Sequence, residues 1–198
     1  MLASSVTRKA LRHEIIRKCT HCFGCVAAVV AAMLPLWVVA AVSAVVVMVY
    51  IFSEALRARG RRLPPITTIT NLCSRPSEAK HPAFGPMALA FGFVCSFILF
   101  PPAIARSAFI VTCVSDSAAG LFGRFYGRRP IPFSQRKTVE GSLAALVCAA
   151  PVGMLYLGPI HGIIAAVTSA VIESLPMRDL DNLLMPLGTG CVLVLLGA

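Results

Sequence analysis

Seven apolar runs, joined by short connections that carry nearly all the cations, leave this chain few folds other than a bundle of membrane helices. The runs are Cys22–Leu34, Leu36–Phe52, Phe84–Phe100, Ala103–Phe122, Gly141–Leu157, Ile160–Leu175 and Leu183–Gly197. Apolar residues occupy 58% of 198 positions and charged residues 13%. A soluble domain of this length cannot hide that much apolar surface, so lipid must cover part of it. The expected fold is all-α and polytopic, a single domain over 1–198 with about seven transmembrane helices and a cytoplasmic N-terminus. Pro35 divides the first long stretch into two spans, or into one span plus a re-entrant piece. Pro101-Pro102 and Gly158-Pro159 read as tight turns. Met1–His21 is basic and lacks a small-residue cleavage site, so the first run reads as a retained span.

The charges support this orientation. Seven spans with the N-terminus inside place 17 of the 18 Lys and Arg residues on the cytoplasmic side, and only Arg106 lies elsewhere. The eight acids (Glu14, Glu54, Glu78, Asp116, Glu140, Glu173, Asp179 and Asp181) map to the same half. Chemistry is therefore expected at the inner face. The net charge of +10 is broken into clusters with few interleaved aromatics, which argues against nucleic acid. Cys19, Cys22 and Cys25 with His21 lack the second ligand pair of a zinc finger and read as a stripe on one helix. Arg57–Pro82, rich in Pro, Thr, Ser and Arg, reads as a flexible connection.

Several residues stand out chemically. Asp116 lies about 20 Å into its span at 1.5 Å per residue, where a carboxylate needs a cation, a metal or a wet cavity. Gly120, Gly123 and Gly127 follow, interleaved with Arg124, Arg128 and Arg129. They serve either close helix packing or backbone approach to phosphate. Arg136 and Lys137 can neutralise phosphoryl charge, Glu140 can hold a metal or a proton, and Gly141-Ser142 opens the next span. Thr138 or Ser142 can cap that helix. Glu173 sits near hydrocarbon with no cation beside it in sequence, and Asp181-Asn182 precedes the last span. Glu14, Arg17, Lys18 and His21 share one helical face, either as an ion-pair stripe or as part of a lipid-headgroup site.

In this order the motifs resemble those of the CTP-dependent lipid alcohol kinases, which include dolichol kinase, phytol kinase and the CTP-dependent diacylglycerol kinase. The matching positions are Arg17-Lys18 with His21, Glu54 with Arg57, Asp116 to Gly127, Lys137 to Ser142, Glu173-Ser174-Leu175-Pro176, Asp181-Asn182-Leu183 and Pro186. The resemblance implies transfer of the CTP γ-phosphate, with a divalent metal, to a membrane lipid's hydroxyl, and does not identify that hydroxyl. Diacylglycerol or a polyprenol-type alcohol is the expected acceptor, Mg2+ the expected metal, and ATP the alternative donor. On this reading Asp116, Lys137, Glu140 and Glu173 are the expected catalytic groups, with Asp116 and an acid among Glu140, Glu173 and Asp181 on the metal. Gly120, Gly123, Arg124, Gly127, Arg128, Arg136, Gly141, Ser142, Asp181 and Asn182 would bind nucleotide. Arg17, Lys18 and His21 would meet the lipid headgroup. Phosphatidate cytidylyltransferase is a neighbouring reading, because Ser134–Gly141 is similar to one of its segments. Its C-terminal His-Gly-Gly-x-x-Asp-Arg string is missing after Glu173. A small transporter is a third reading, disfavoured by the bare outer half. The short chain suits a microbial inner membrane with a cytoplasmic active site.

Overall fold

The computed structural model describes residues 2–61, 63–73, 84–177 and 180–198, with side chains except at 2–14, 22, 72, 73, 135 and 136. Arg62, Arg75, Glu78, Lys80, Arg178 and Asp179 lie outside the described residues, as do the side chains of Glu14 and Arg136.

The architecture is all-α with one small hairpin. Helix α1 runs Leu2–Ala31 and α2 runs Leu36–Ala58. Pro35, which lacks an N–H, sits at the start of α2 and makes two separate helices of the first apolar stretch. A short helix, α3 (Ile66–Cys73), precedes α4 (Phe84–Leu99) and α5 (Pro102–Tyr126). Strands β1 (Pro130–Ile131) and β2 (Ser134–Thr138) pair antiparallel before α6 (Val139–Leu157), α7 (Pro159–Ser174) and α8 (Asp181–Leu195).

Helix α3 corrects the reading of Arg57–Pro82 as wholly flexible. Thr67 is buried, its hydroxyl 3.3 Å from that of Ser53 on α2, and it accepts a hydrogen bond from Leu63 N at 2.8 Å. The Pro- and Arg-rich surroundings masked a turn of Ile66, Thr67, Ile69 and Thr70 that docks against α1 and α2.

Among the described residues, three helices are long and apolar enough to cross a bilayer: α2, α5 and α6. The apolar helices α4, α7 and α8 have 16, 16 and 15 residues. At 1.5 Å per residue they are shorter than a hydrocarbon core of about 30 Å. The full complement of about seven spans therefore rests on the apolar runs alone.

Helix α5 is the hub, packing against α1, α4, α6, α7 and α8. Ala105, Ser107, Ala108, Cys113, Ser115, Ala118 and Ala119 are all buried on it. Small side chains let the surrounding helices approach closely, which is how helices associate where lipid supplies no hydrophobic drive. The apolar core is completed by Phe97, Phe109, Val111 and Leu193, with Phe93 edge-on to Phe109 at 5.1 Å. Helix α2 is the opposite case, with Val45, Val46, Met48 and Phe52 all exposed as on a lipid-facing surface.

At the α6–α7 turn, Gly158 adopts φ +77°, which an L side chain resists. Just beside it, Gly153 and Gly162 bring the two backbones into contact: a Cβ on Gly162 would overlap main-chain atoms of Gly153 and Met154.

Candidate active site between α1, α5 and the hairpin

Two buried charge clusters form where α1, α5, α7, α8 and the hairpin meet. The first is built on Asp116. Lys18 reaches across from α1 and donates to Asp116 Oδ2 at 2.5 Å and to the Asp116 backbone carbonyl at 2.7 Å. One turn on, His21 Nδ1 lies 2.8 Å from the same Oδ2. The ring is not aligned for a hydrogen bond, so this is close approach of a titratable ring to a carboxylate rather than a formed bond. Lys18 and His21 are three residues apart and so share a face of α1. All three side chains are at least nine-tenths buried.

The second cluster is built on Lys137 at the end of β2. Its ammonium donates to Glu173 Oε1 at 2.7 Å and to Asp181 Oδ2 at 3.0 Å. Burial alone would favour the neutral amine. The two carboxylates outweigh it and hold Lys137 above the ordinary lysine value of 10.5. Asp181 Oδ1 also accepts the Asn182 N–H at 3.0 Å, and Asn182 Nδ2 donates to Gly85 O of α4 at 3.2 Å. Asp181 thus opens α8 from inside its first turn, with Leu180 at the cap position. Ser142 Oγ lies 3.5 Å from Glu173 Oε2. The clusters stand on packed elements, Asp116 on α5 and Glu173 on α7, two helices in direct contact.

Other expected residues fall around this centre rather than in it. Glu140 accepts the backbone N–H groups of Arg128 and Arg129 at 3.1 and 3.2 Å, pinning the strand entry to the start of α6. Thr138 caps α6, its Oγ1 accepting from Gly141 N at 3.2 Å. Gly123, Gly127 and Gly141 are where α5 crosses that cap. A Cβ on Gly141 would stand 2.9 Å from Ala119 O and 3.1 Å from Gly123 Cα, so the chain needs bare backbone there. Gly120 is half-buried on α5, and Arg124 and Arg128 are exposed at its end and just beyond. Glu54 and Arg57 pair through Arg57 Nη2 and Glu54 Oε2 at 2.6 Å on α2.

Among the described residues, no group of three or more His, Cys, Asp or Glu side chains could hold a metal. Asp116, Glu140 and Glu173 therefore do not make a three-carboxylate centre. A smaller donor set does fit a cation: around Lys137, two carboxylates face one ammonium and leave a local surplus of negative charge. Mg2+ is usually held by one or two carboxylates together with substrate phosphates.

Lys18, expected in an ion-pair stripe or at a lipid headgroup, has a partner the sequence did not name: Asp116, 98 positions away. The shared helical face of Arg17, Lys18 and His21 was the available signal. Spacing along one helix does not say which other helix that face meets.

Comparison with known proteins bears on this geometry. Residues 103–178, from α5 into the segment after α7, match the cytidylyltransferase family. Phytol kinase 1, chloroplastic, of Arabidopsis thaliana is 25% identical over 66% of this chain and 49% of its own length. Probable phytol kinase 1, chloroplastic, of Glycine max is 27% identical over 54% of this chain and 42% of its own. Phytol kinase of Synechocystis sp. is 28% identical over 72% and 64%. The chain resembles the phytol kinases. That agrees with the likeness to CTP-dependent lipid alcohol kinases carried by its motifs. The chain spans about half the length of the two plant relatives. No solved structure matches it.

Proposed function

We propose that this chain is a kinase that transfers the γ-phosphate of CTP to the hydroxyl of a membrane lipid alcohol at the cytoplasmic face. The observation that carries the reading is the junction of the Lys18–Asp116 and Lys137–Glu173–Asp181 clusters inside a helical membrane bundle. In this reading the alcohol oxygen attacks the γ-phosphorus, the bond to the bridging oxygen breaks, and CDP leaves. Lys137 and Lys18 neutralise charge as it moves toward the bridging oxygen, and Asp116 accepts the hydroxyl proton with His21 against it. Phosphoryl transfer asks mainly for positioning and charge neutralisation, which two preformed lysine–carboxylate pairs supply. Glu173 and Asp181 are the carboxylates that would hold a Mg2+ ion, whose chemistry is to screen the phosphate oxygens. The exposed Arg124 and Arg128, with Arg136, are the proposed grip on the nucleotide. The relatives are named for phytol, so a prenyl-type alcohol is the first acceptor to offer, with diacylglycerol and a polyprenol beside it.

The test is CTP labelled at either end, given to membranes containing the full chain. The kinase places γ-label in lipid, and Asp116→Asn or Lys137→Ala lowers transfer by about 10²-fold or more, as expected for groups acting in the transition state. Undiminished transfer in both variants would eliminate this site. Cytidylyl transfer to phosphatidate is the second reading, favoured by the family that residues 103–178 match; it places α-label in lipid instead.

A further inference from the structure

Beside the charged clusters lies a cavity of about 230 Å³. Its lining mixes polar groups, Arg17 and His21 of α1 and Asn182 of α8 among them, with the apolar side chains of Ile69 on α3 and Leu89 on α4. Two of its polar residues connect it to the chemistry. His21 touches Asp116 at 2.8 Å, and Asn182 follows directly on Asp181, which holds Lys137. A single imidazole thus belongs both to the buried carboxylate centre and to the cavity wall.

An occupant matching this lining has one hydroxyl end and an apolar body. The volume is below the roughly 300–1,000 Å³ of pockets that enclose a whole ligand. It therefore takes only the head of a long molecule, whose remainder stays among helices and lipid. We propose that this cavity docks the hydroxyl end of a long-chain alcohol, its oxygen beside His21 and its first carbons between Ile69 and Leu89. Helix α3 is then a specificity wall, held to α2 by the Ser53–Thr67 contact. The fate of the hydroxyl rests on the lipid-kinase reading, but binding does not.

The test uses the full chain in nanodiscs with a prenyl alcohol carrying a diazirine near its hydroxyl. Photolabel is expected in Ile66–Cys73 and Phe84–Leu99 and is competed away by unlabelled alcohol. Leu89→Trp and, on the more exposed α3, Ile69→Trp should each fill the cavity. Each is expected to cut labelling and raise the KM for alcohol about ten-fold, leaving that for CTP within about two-fold. Label confined to other helices, label from a photoreactive CTP in these same segments, or unchanged labelling in both variants would overturn the docking site. Specific alcohol labelling here without phosphate transfer upholds the cavity and removes the kinase reading. Transfer with unaltered KM in both tryptophan variants does the reverse.

Discussion

Lys18 and Asp116 illustrate what a buried pair does at the residue scale. Removing one member of such a pair leaves its partner charged and uncompensated, costing about 3–5 kcal/mol. Lys18→Met is therefore expected to lose thermal stability in detergent, while Lys18→Met with Asp116→Asn recovers most of it without recovering transfer. Scanning fluorimetry beside the labelled-CTP assay would separate the two roles; a double variant as unstable as the single one would contradict the pairing. Lys137 gives a pH expectation of definite sign. Its folded value is raised above 10.5, so the stability from its charge is complete below that pH and is lost as pH climbs through the higher folded value. A transfer-rate profile should accordingly show no Lys137 limb between pH 6 and 9. Loss there that disappears in Lys137→Arg would show that the lysine is discharging earlier.

At the scale of elements, the glycines carry more packing than their spacing suggested. Gly123, Gly127 and Gly141 bring α5 against the Thr138 cap, and Gly153 and Gly162 bring α6 against α7. The obstacles are mainly backbone atoms, which cannot swing aside as side-chain tips can. Gly162→Ala is expected to force α6 and α7 apart and cost about 1–3 kcal/mol, the usual range for overpacking. Gly141→Ala should spread α5 from α6 and move Lys137 with it, lowering both melting temperature and transfer. If Gly141→Ala lost transfer with an unchanged melting temperature and a raised KM for CTP, a phosphate-facing role would be indicated instead. The helices themselves were legible because apolar runs and prolines mark them directly. Helix α3 was not, because eight residues amid Pro and Arg give too little periodicity to outweigh composition. Likewise the sequence placed Glu173 near hydrocarbon without naming Lys137 as its partner, since pairing across 36 positions depends on how α7 meets the hairpin.

For the whole molecule, the distribution of charge is what ties the fold to a direction. The hairpin with Lys137 and the α6–α7 turn lie at opposite ends of α6, a 19-residue helix apolar enough to cross a bilayer. The positive-inside bias predicts that the hairpin end, with Arg124, Arg128, Arg129 and Arg136 near it, faces the cytoplasm. Arg106, the exception, sits near the opposite end of α5, its guanidinium 5.3 Å from the ring of Tyr156 late in α6. Single cysteines introduced as Phe133→Cys and Ile160→Cys, both at exposed positions, would report the two ends in a variant whose eight native cysteines are replaced. A membrane-impermeant maleimide added to intact cells is expected to label Ile160→Cys and to reach Phe133→Cys only after permeabilisation. The reverse pattern would put Lys137 and its carboxylates on the far side from cellular CTP, where no amount of favourable geometry would give them a nucleotide to act on. Equal labelling of both from outside would mean that α6 does not cross, and the lipid-facing reading of the bundle would have to be rebuilt around α2 and α5.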